Sequence, residues 1–170
     1  TGVRNASGVE RMMASARQAI TQDVIERAQK VAGISRIVLS TNSPSLAKWA
    51  RSRDVDVELD PPDSTFHFGQ RLRALAAKYH AERLFYMGGG SGALLSAGEM
   101  TDIVERLHTA DRILITNNFY STDFAAFAPT SALEAIEPPA IDNDLGWLLS
   151  EKAGLPNESL ARRASTQLDV

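Results

Sequence analysis

The sequence has no cysteine, which excludes disulfides, thiolate metal sites and a cysteine nucleophile. It has no apolar run near the 18 or so residues that a bilayer-spanning helix needs, and nothing in it resembles a signal peptide. Excess positive charge is also missing. With 18 basic and 21 acidic residues the formal charge is −3, which argues against nucleic acid as a partner. The three histidines, His67, His80 and His108, show no metal-ligand spacing. What remains is a 170-residue chain of single-domain size with one compact core. A small-molecule partner and a reducing, cytoplasmic setting fit it, without a membrane; a homodimer is left open. The chain starts at Thr1 and stops at Val170 just after an expected strand, so it is expected to be incomplete at both ends.

Apolar residues at steps of three and four (Met13, Ala16, Ile20, Val24, Ala28, Val31) predict a helix over 11–32, with Gly33 as its C-cap. Strands are expected at 36–40, 55–59, 84–87, 113–116, 124–127 and 166–170. Ser43-Pro44 opens a second helix, and Phe68, Leu72, Leu75, Ala76 and Tyr79 share the face of a third. Ser96-Ala97-Gly98-Glu99 is a capping box before a fourth, and Leu145–Lys152 is a short one closed by Gly154 and Pro156. Strands alternating with helices imply an α/β fold: a three-layer αβα sandwich with a mostly parallel, Rossmann-like sheet. Ligands of such sheets sit beyond the carboxyl ends of the strands, where 61–69, 88–96 and 117–123 begin.

The densest signal is Gly88-Gly89-Gly90-Ser91-Gly92, between a strand and a helix. Glycines there bring backbone N–H groups close to an anion such as phosphate, although a tight connection without a ligand also accounts for them. Gly88, Gly90 and Ala93 fit a dinucleotide fingerprint, but Leu94-Leu95 intervene before the helix cap at Ser96. Gly89-Gly90-Ser91-Gly92-Ala93 approaches a nucleophile elbow, but the later histidine, His108, lies in the very next helix and cannot serve as base.

Asn117-Asn118-Phe119-Tyr120-Ser121-Thr122-Asp123 offers groups that read a base or sugar, or else form a turn. In 61–70, Phe66 and Phe68 either stack on a base or enter the core, and the helix start there suits phosphate. Asp142 and Asp144 either hold Mg²⁺ or cap the helix at Leu145. Asp169, at the end of the last expected strand, overhangs the same crevice.

This order of parts resembles the nucleotidyltransferases of the GT-A type, especially the small guanylyltransferases acting on phospholactate or on molybdopterin in cofactor biosynthesis. Ser7-Gly8-Val9-Glu10-Arg11-Met12 is similar to the end of the family's N-terminal glycine-rich loop. Ser91-Gly92-Ala93-Leu94-Leu95 matches the position of its Asp-x-Pro-Leu-Leu segment, and Thr166-Gln167-Leu168-Asp169-Val170 its late strand closing with Asp. The resemblance covers nearly the whole chain. It implies a single nucleotidyltransferase-like domain over 1–170 that moves a nucleoside monophosphate from a triphosphate, GTP by resemblance, to a phosphorylated or anionic acceptor.

By the same resemblance Arg4, Gly8 and Arg11 contact the triphosphate, Arg11 in a catalytic role. Phe68, Gly69, Gln70, Gly88, Gly89, Gly90 and Ser91 line the nucleotide site, while Asn117, Asn118, Ser121 and Asp123 shape the acceptor site. Asp169 holds Mg²⁺, with Asp142 and Asp144 as further candidates. The chain departs from the family in two ways: Ser91 stands where it has a metal-holding Asp, and its first strand and most of its first loop are absent or precede Thr1. A binding domain that kept the scaffold without the chemistry is the alternative, and a glycosyltransferase ranks third.

Overall fold

In a computed structural model, residues 7–60 and 65–170 are described. Helix α1 (Gly8–Ala28) opens with Ser7, whose hydroxyl accepts from the Glu10 N–H while the Glu10 carboxylate accepts from the Ser7 N–H. It ends four residues short of the expected 32. Gly33, expected as its C-cap, turns the chain instead at φ +90°, pressed close to Val104 and His108. Strand β1 (Val38–Thr41), helix α2 (Pro44–Arg51) and strand β2 (Asp56–Leu59) follow, with Ser43 capping α2 ahead of Pro44. Next come α3 (Phe68–Lys78), β3 (Leu84–Met87), α4 (Ala97–Thr109), β4 (Ile113–Thr116) and β5 (Phe124–Ala128). Ser96 and Glu99 form the expected capping box of α4.

The tail differs from expectation. After a 3₁₀ turn at Asp142–Asp144 and helix α5 (Leu145–Glu151), the last strand is β6 (Asn157–Ser159), and 164–167 is a one-turn helix, α6 (Ala164–Gln167). The strand expected over 166–170 is therefore corrected. Thr166 donates its hydroxyl proton to Ala161 O and accepts from the Arg163 N–H, which closes a turn where a strand was expected. Strand β6 is three polar residues and carries no alternation by which it would be seen.

β1 and β2 pair in parallel, and the other four strands are ordered β3-β5-β4-β6. β4 and β6 are parallel, and β5 runs antiparallel to both neighbours. A mixed sheet thus lies between helical layers in a Rossmann-like αβα sandwich.

Alternation in the central strands assigns the layers. Ile113, Ile115, Phe124 and Ala126 meet Val24 of α1 and Met100, Ile103 and Val104 of α4 on one face. Leu114, Ala125 and Phe127 meet Leu72 of α3 and Leu145 and Leu149 of α5 on the other. Every residue of β4 and β5 is buried, as strands covered on both faces should be. A third cluster, Ile25, Leu39, Leu46, Ala50 and Val55, seats β1, β2 and α2 against α1.

Candidate active site

β3 ends at Met87, and the chain turns at once. The Gly88 N–H donates to Asp123 O at 2.9 Å and the Ser91 N–H to Gly88 O at 3.2 Å. The Ser91 side chain is 2% exposed, and its hydroxyl lies 2.9 Å from Gly88 O and 3.2 Å from Asp123 O. Ser91 therefore ties the glycine turn to the start of β5. Arg27 of α1 secures the far side of the turn by donating to the Ala93 and Leu95 carbonyls.

The absent side chains have separate reasons. A Cβ on Gly90 would stand 2.3 Å from Val170 O and 3.0 Å from Asp169 Oδ1, so this glycine is the seat of the 168–170 segment. The Val170 N–H donates back to Gly90 O, and Arg17 of α1 donates to Val170 O at 2.6 Å. A Cβ on Gly88 would lie 3.1 Å from Asp123 O, 3.3 Å from Asp142 Oδ2 and 3.4 Å from the Tyr86 hydroxyl. At Gly89 it would meet nothing within 4 Å. The open position of the cluster is thus Gly89, flanked by two glycines that make room for protein.

Three carboxylates surround this step. Asp142 Oδ2 accepts from the Tyr86 hydroxyl at 2.7 Å, and Asp123 Oδ2 accepts from the Asn117 amide at 2.7 Å. Asp169 lies against Gly90. Burial holds the Asp123 carboxyl above the usual carboxylate range; the Asn117 bond opposes this, and the charges of Asp169 and Asp142 add to it. Burial, then the bond to Asp142, then the charges of Asp142, Asp123 and Asp169 push the Tyr86 phenol upward. Among the described residues none of the three carboxylates has an ion pair to Arg, Lys or His.

Asn117 is 3% exposed and uses both ends of its amide: Nδ2 donates to Asp123, and Oδ1 accepts from the N–H groups of Asp123 and Phe124. Its carbonyl accepts from Gln167 of α6, two residues before Asp169. Asn118 caps its own turn by accepting from the Tyr120 N–H, and Ser121 accepts from the Asn143 amide. The 117–123 loop is thereby clipped to 142–146, a link continued by Thr122, whose hydroxyl accepts from the Gly146 N–H. Neither Asp142 nor Asp144 caps α5 through its side chain, so the capping role weighed for them is not the one observed. Asp142 turns to Tyr86, and Asp144 is exposed.

The start of α3 is occupied by protein. The Phe68 and Gly69 N–H groups donate to Ala140 O and Pro139 O, and a Cβ on Gly69 would stand 2.5 Å from Pro139 Cδ. Phe68 is buried against the Tyr86 ring at 4.9 Å, whereas Phe66 is 59% exposed and Gln70 is exposed. Gly8 and Arg11 sit on the exposed first turn of α1. Arg4 and 61–64 lie outside the described residues.

The fold therefore brings Gly88, Gly89, Gly90, Ser91, Asn117, Asp123, Asp142 and Asp169 together beyond the end of β3, and adds Tyr86 and Gln167, which the sequence patterns did not single out. Tyr86 had a signal: a hydroxyl on an otherwise apolar strand, two residues before Gly88 and so on the same face. Among the described residues no three His, Asp or Glu side chains gather closely enough to hold a metal. One or two carboxylates suffice where phosphates complete the shell of Mg²⁺, and oxygen donors are what that ion prefers.

No family model matches the sequence, and no curated protein matches it. Solved structures do. The fold is similar to that of CMP:2-keto-3-deoxy-manno-octonic acid synthetase solved in complex with CTP, at a TM-score of 0.58 and 12% identity, covering 83% of this chain and 78% of that one. At that identity the likeness establishes the shared fold alone and leaves the guanylyltransferase resemblance as an expectation. No helix among the described residues is long and apolar enough to cross a membrane.

Proposed function

We propose that the chain is a nucleotidyltransferase that moves a nucleoside monophosphate from a nucleoside triphosphate, GTP by resemblance, to a phosphorylated or otherwise anionic small acceptor. The observation that carries this is the placement of Asp123, Asp142 and Asp169 about the glycine step beyond β3, the first two held by an amide and a phenol and, among the described residues, none of the three with a cationic partner. Carboxylates without cationic partners suit a site completed by a cation and its phosphates. Likeness to a CTP-bound synthetase is consistent with a nucleotide in this crevice.

In the transfer, an oxygen of the anionic acceptor attacks the α-phosphorus and its electron pair forms the new P–O bond. The bond from that phosphorus to the bridging oxygen breaks, and pyrophosphate leaves with the electron pair. Such chemistry is mostly positioning and charge neutralisation. Asp169 would hold Mg²⁺ with Asp142 beside it, and the ion would neutralise phosphate charge. Arg11 and Arg4 would approach the triphosphate from the N-terminal side, Gly89 gives the backbone clearance for the nucleotide, and the acceptor would enter by 117–123.

Calorimetry with each triphosphate, with and without Mg²⁺, combined with a pyrophosphate-release assay over phosphorylated acceptors, tests this. Mg²⁺-dependent binding with pyrophosphate release is the expected result. One specific observation favours a second reading: the Ser91 hydroxyl is buried and spent within the turn, so the carboxylate expected there is missing. Tight binding indifferent to Mg²⁺, with no pyrophosphate, would identify a binding domain on the same scaffold.

A further inference from the structure

Asp142 enters the crevice on a short 3₁₀ turn, an element with few bonds of its own and no side-chain cap. Left alone, an aspartate there would have several rotamers open to it. The structure restricts it from one side. The Tyr86 hydroxyl donates to Oδ2 at 2.7 Å, and the Tyr86 ring is itself held against buried Phe68, with centroids 4.9 Å apart. Gly88, next on the same strand face, presents no side chain, which lets carboxylate and hydroxyl lie 3.3 and 3.4 Å from where its Cβ would be. A rigid donor on a strand thus aims an acceptor carried by a loop, and the glycine leaves the aimed carboxylate uncovered.

We infer that Tyr86 is a positioning residue, acting through Asp142: its hydroxyl holds that carboxylate at the Gly88 step, toward the nucleotide's phosphates. This rests on the nucleotidyl-transfer reading above. The neutral phenol is suited to the task, because it orients the carboxylate without cancelling its charge. An arginine in its place would hold Asp142 and also neutralise it. Supporting residues of this kind characteristically matter about tenfold to hundredfold for metal affinity or rate.

A double-mutant cycle of Tyr86→Phe and Asp142→Asn tests the inference, with two readouts: pyrophosphate release, and triphosphate affinity in the presence of Mg²⁺ by calorimetry. Tyr86→Phe keeps the ring against Phe68, so its thermal midpoint should stay close to that of the parent. The variant is expected to lose about tenfold to hundredfold in transfer. The double variant should lose no more than Asp142→Asn alone, within about twofold, because Tyr86 has nothing left to aim. Losses that multiply, or a Tyr86→Phe variant as active and as tight-binding as the parent, would overturn the role. If the parent binds triphosphate but releases no pyrophosphate, the transfer reading fails, and the cycle of binding affinities alone decides for or against Tyr86. If no triphosphate binds, both fall together.

Discussion

Acidic side chains occur in two settings that differ in their partners. Along β2, Asp56 pairs with Arg36, Glu58 with Lys78 and the Tyr79 hydroxyl, and neighbouring Asp60 with Arg71. In the crevice, Asp142 and Asp123 are held by a phenol and an amide, and Asp169 by the course of its backbone against Gly90. Hydrogen bonds hold Glu58 below the usual carboxylate range, whereas burial and like charges hold Asp123 above it. The first arrangement is at rest. Among the described residues the second has no cationic partner, which costs stability.

The sharpest way to break this contrast is to unseat Asp169. Gly90→Val places atoms where the Val170 backbone runs, and a displacement of about 1 Å is expected to lower pyrophosphate release roughly a hundredfold. Gly89→Ala meets no protein atom within 4 Å and should leave the 168–170 segment in place, so its smaller loss should appear in triphosphate affinity, where the added methyl enters the clearance for the nucleotide. Equal effects of the two would show that the 168–170 segment has no part in the site.

Asn117→Ala comes next. It strands the N–H groups of Asp123 and Phe124 and should cost about 2–3 kcal/mol in urea unfolding. A loss under about 0.5 kcal/mol would mean that water replaces the amide.

Glu58→Gln is expected to cost about 0.5 kcal/mol at neutral pH and to leave transfer unchanged, as for an ion pair whose lysine is exposed. Because the folded-state pKa of Glu58 is lowered, its contribution is present above the ordinary value of 4.5 and is lost as pH falls through the lower folded value. The stability gap between parent and variant should therefore close in acid, and a gap that widens would reverse the assignment.

The smallest effect has the opposite sign. The folded-state pKa of Asp123 is raised, so its ionisation costs stability as pH rises from the ordinary 3.8 through the folded value. Asp123→Asn should raise the thermal midpoint at pH 7 by about one degree while lowering transfer, and the gain should vanish below pH 3.8.

Much of the fold was legible in the sequence because its signals are local. The runs 84–87 and 113–116 are strands as expected, and Ser96 with Glu99, three residues apart, caps α4. Ser43 and Pro44 likewise start α2. The tail was misplaced for the converse reason: Asn157–Ser159 has no periodicity, and it is a strand because β4 offers it a ladder. The antiparallel course of β5 was equally invisible, since an all-apolar run looks the same in either direction.

The crevice divides along the same line. That a glycine-rich connection leaves a strand end, with polar loops at the other strand ends, follows from composition and order alone, as does the three-layer sandwich that gathers them. Which glycine is open was decided by tertiary structure, because Gly90 is filled by a segment about eighty residues further along the chain. So was the turn of Asp142, rather than Asp144, toward the glycine step, where a hydroxyl 56 residues away meets it. A side-chain pattern records the partners within a turn or a pleat of its own element. Partners brought together by the packing of separate elements have no fixed spacing, and only the folded chain specifies them.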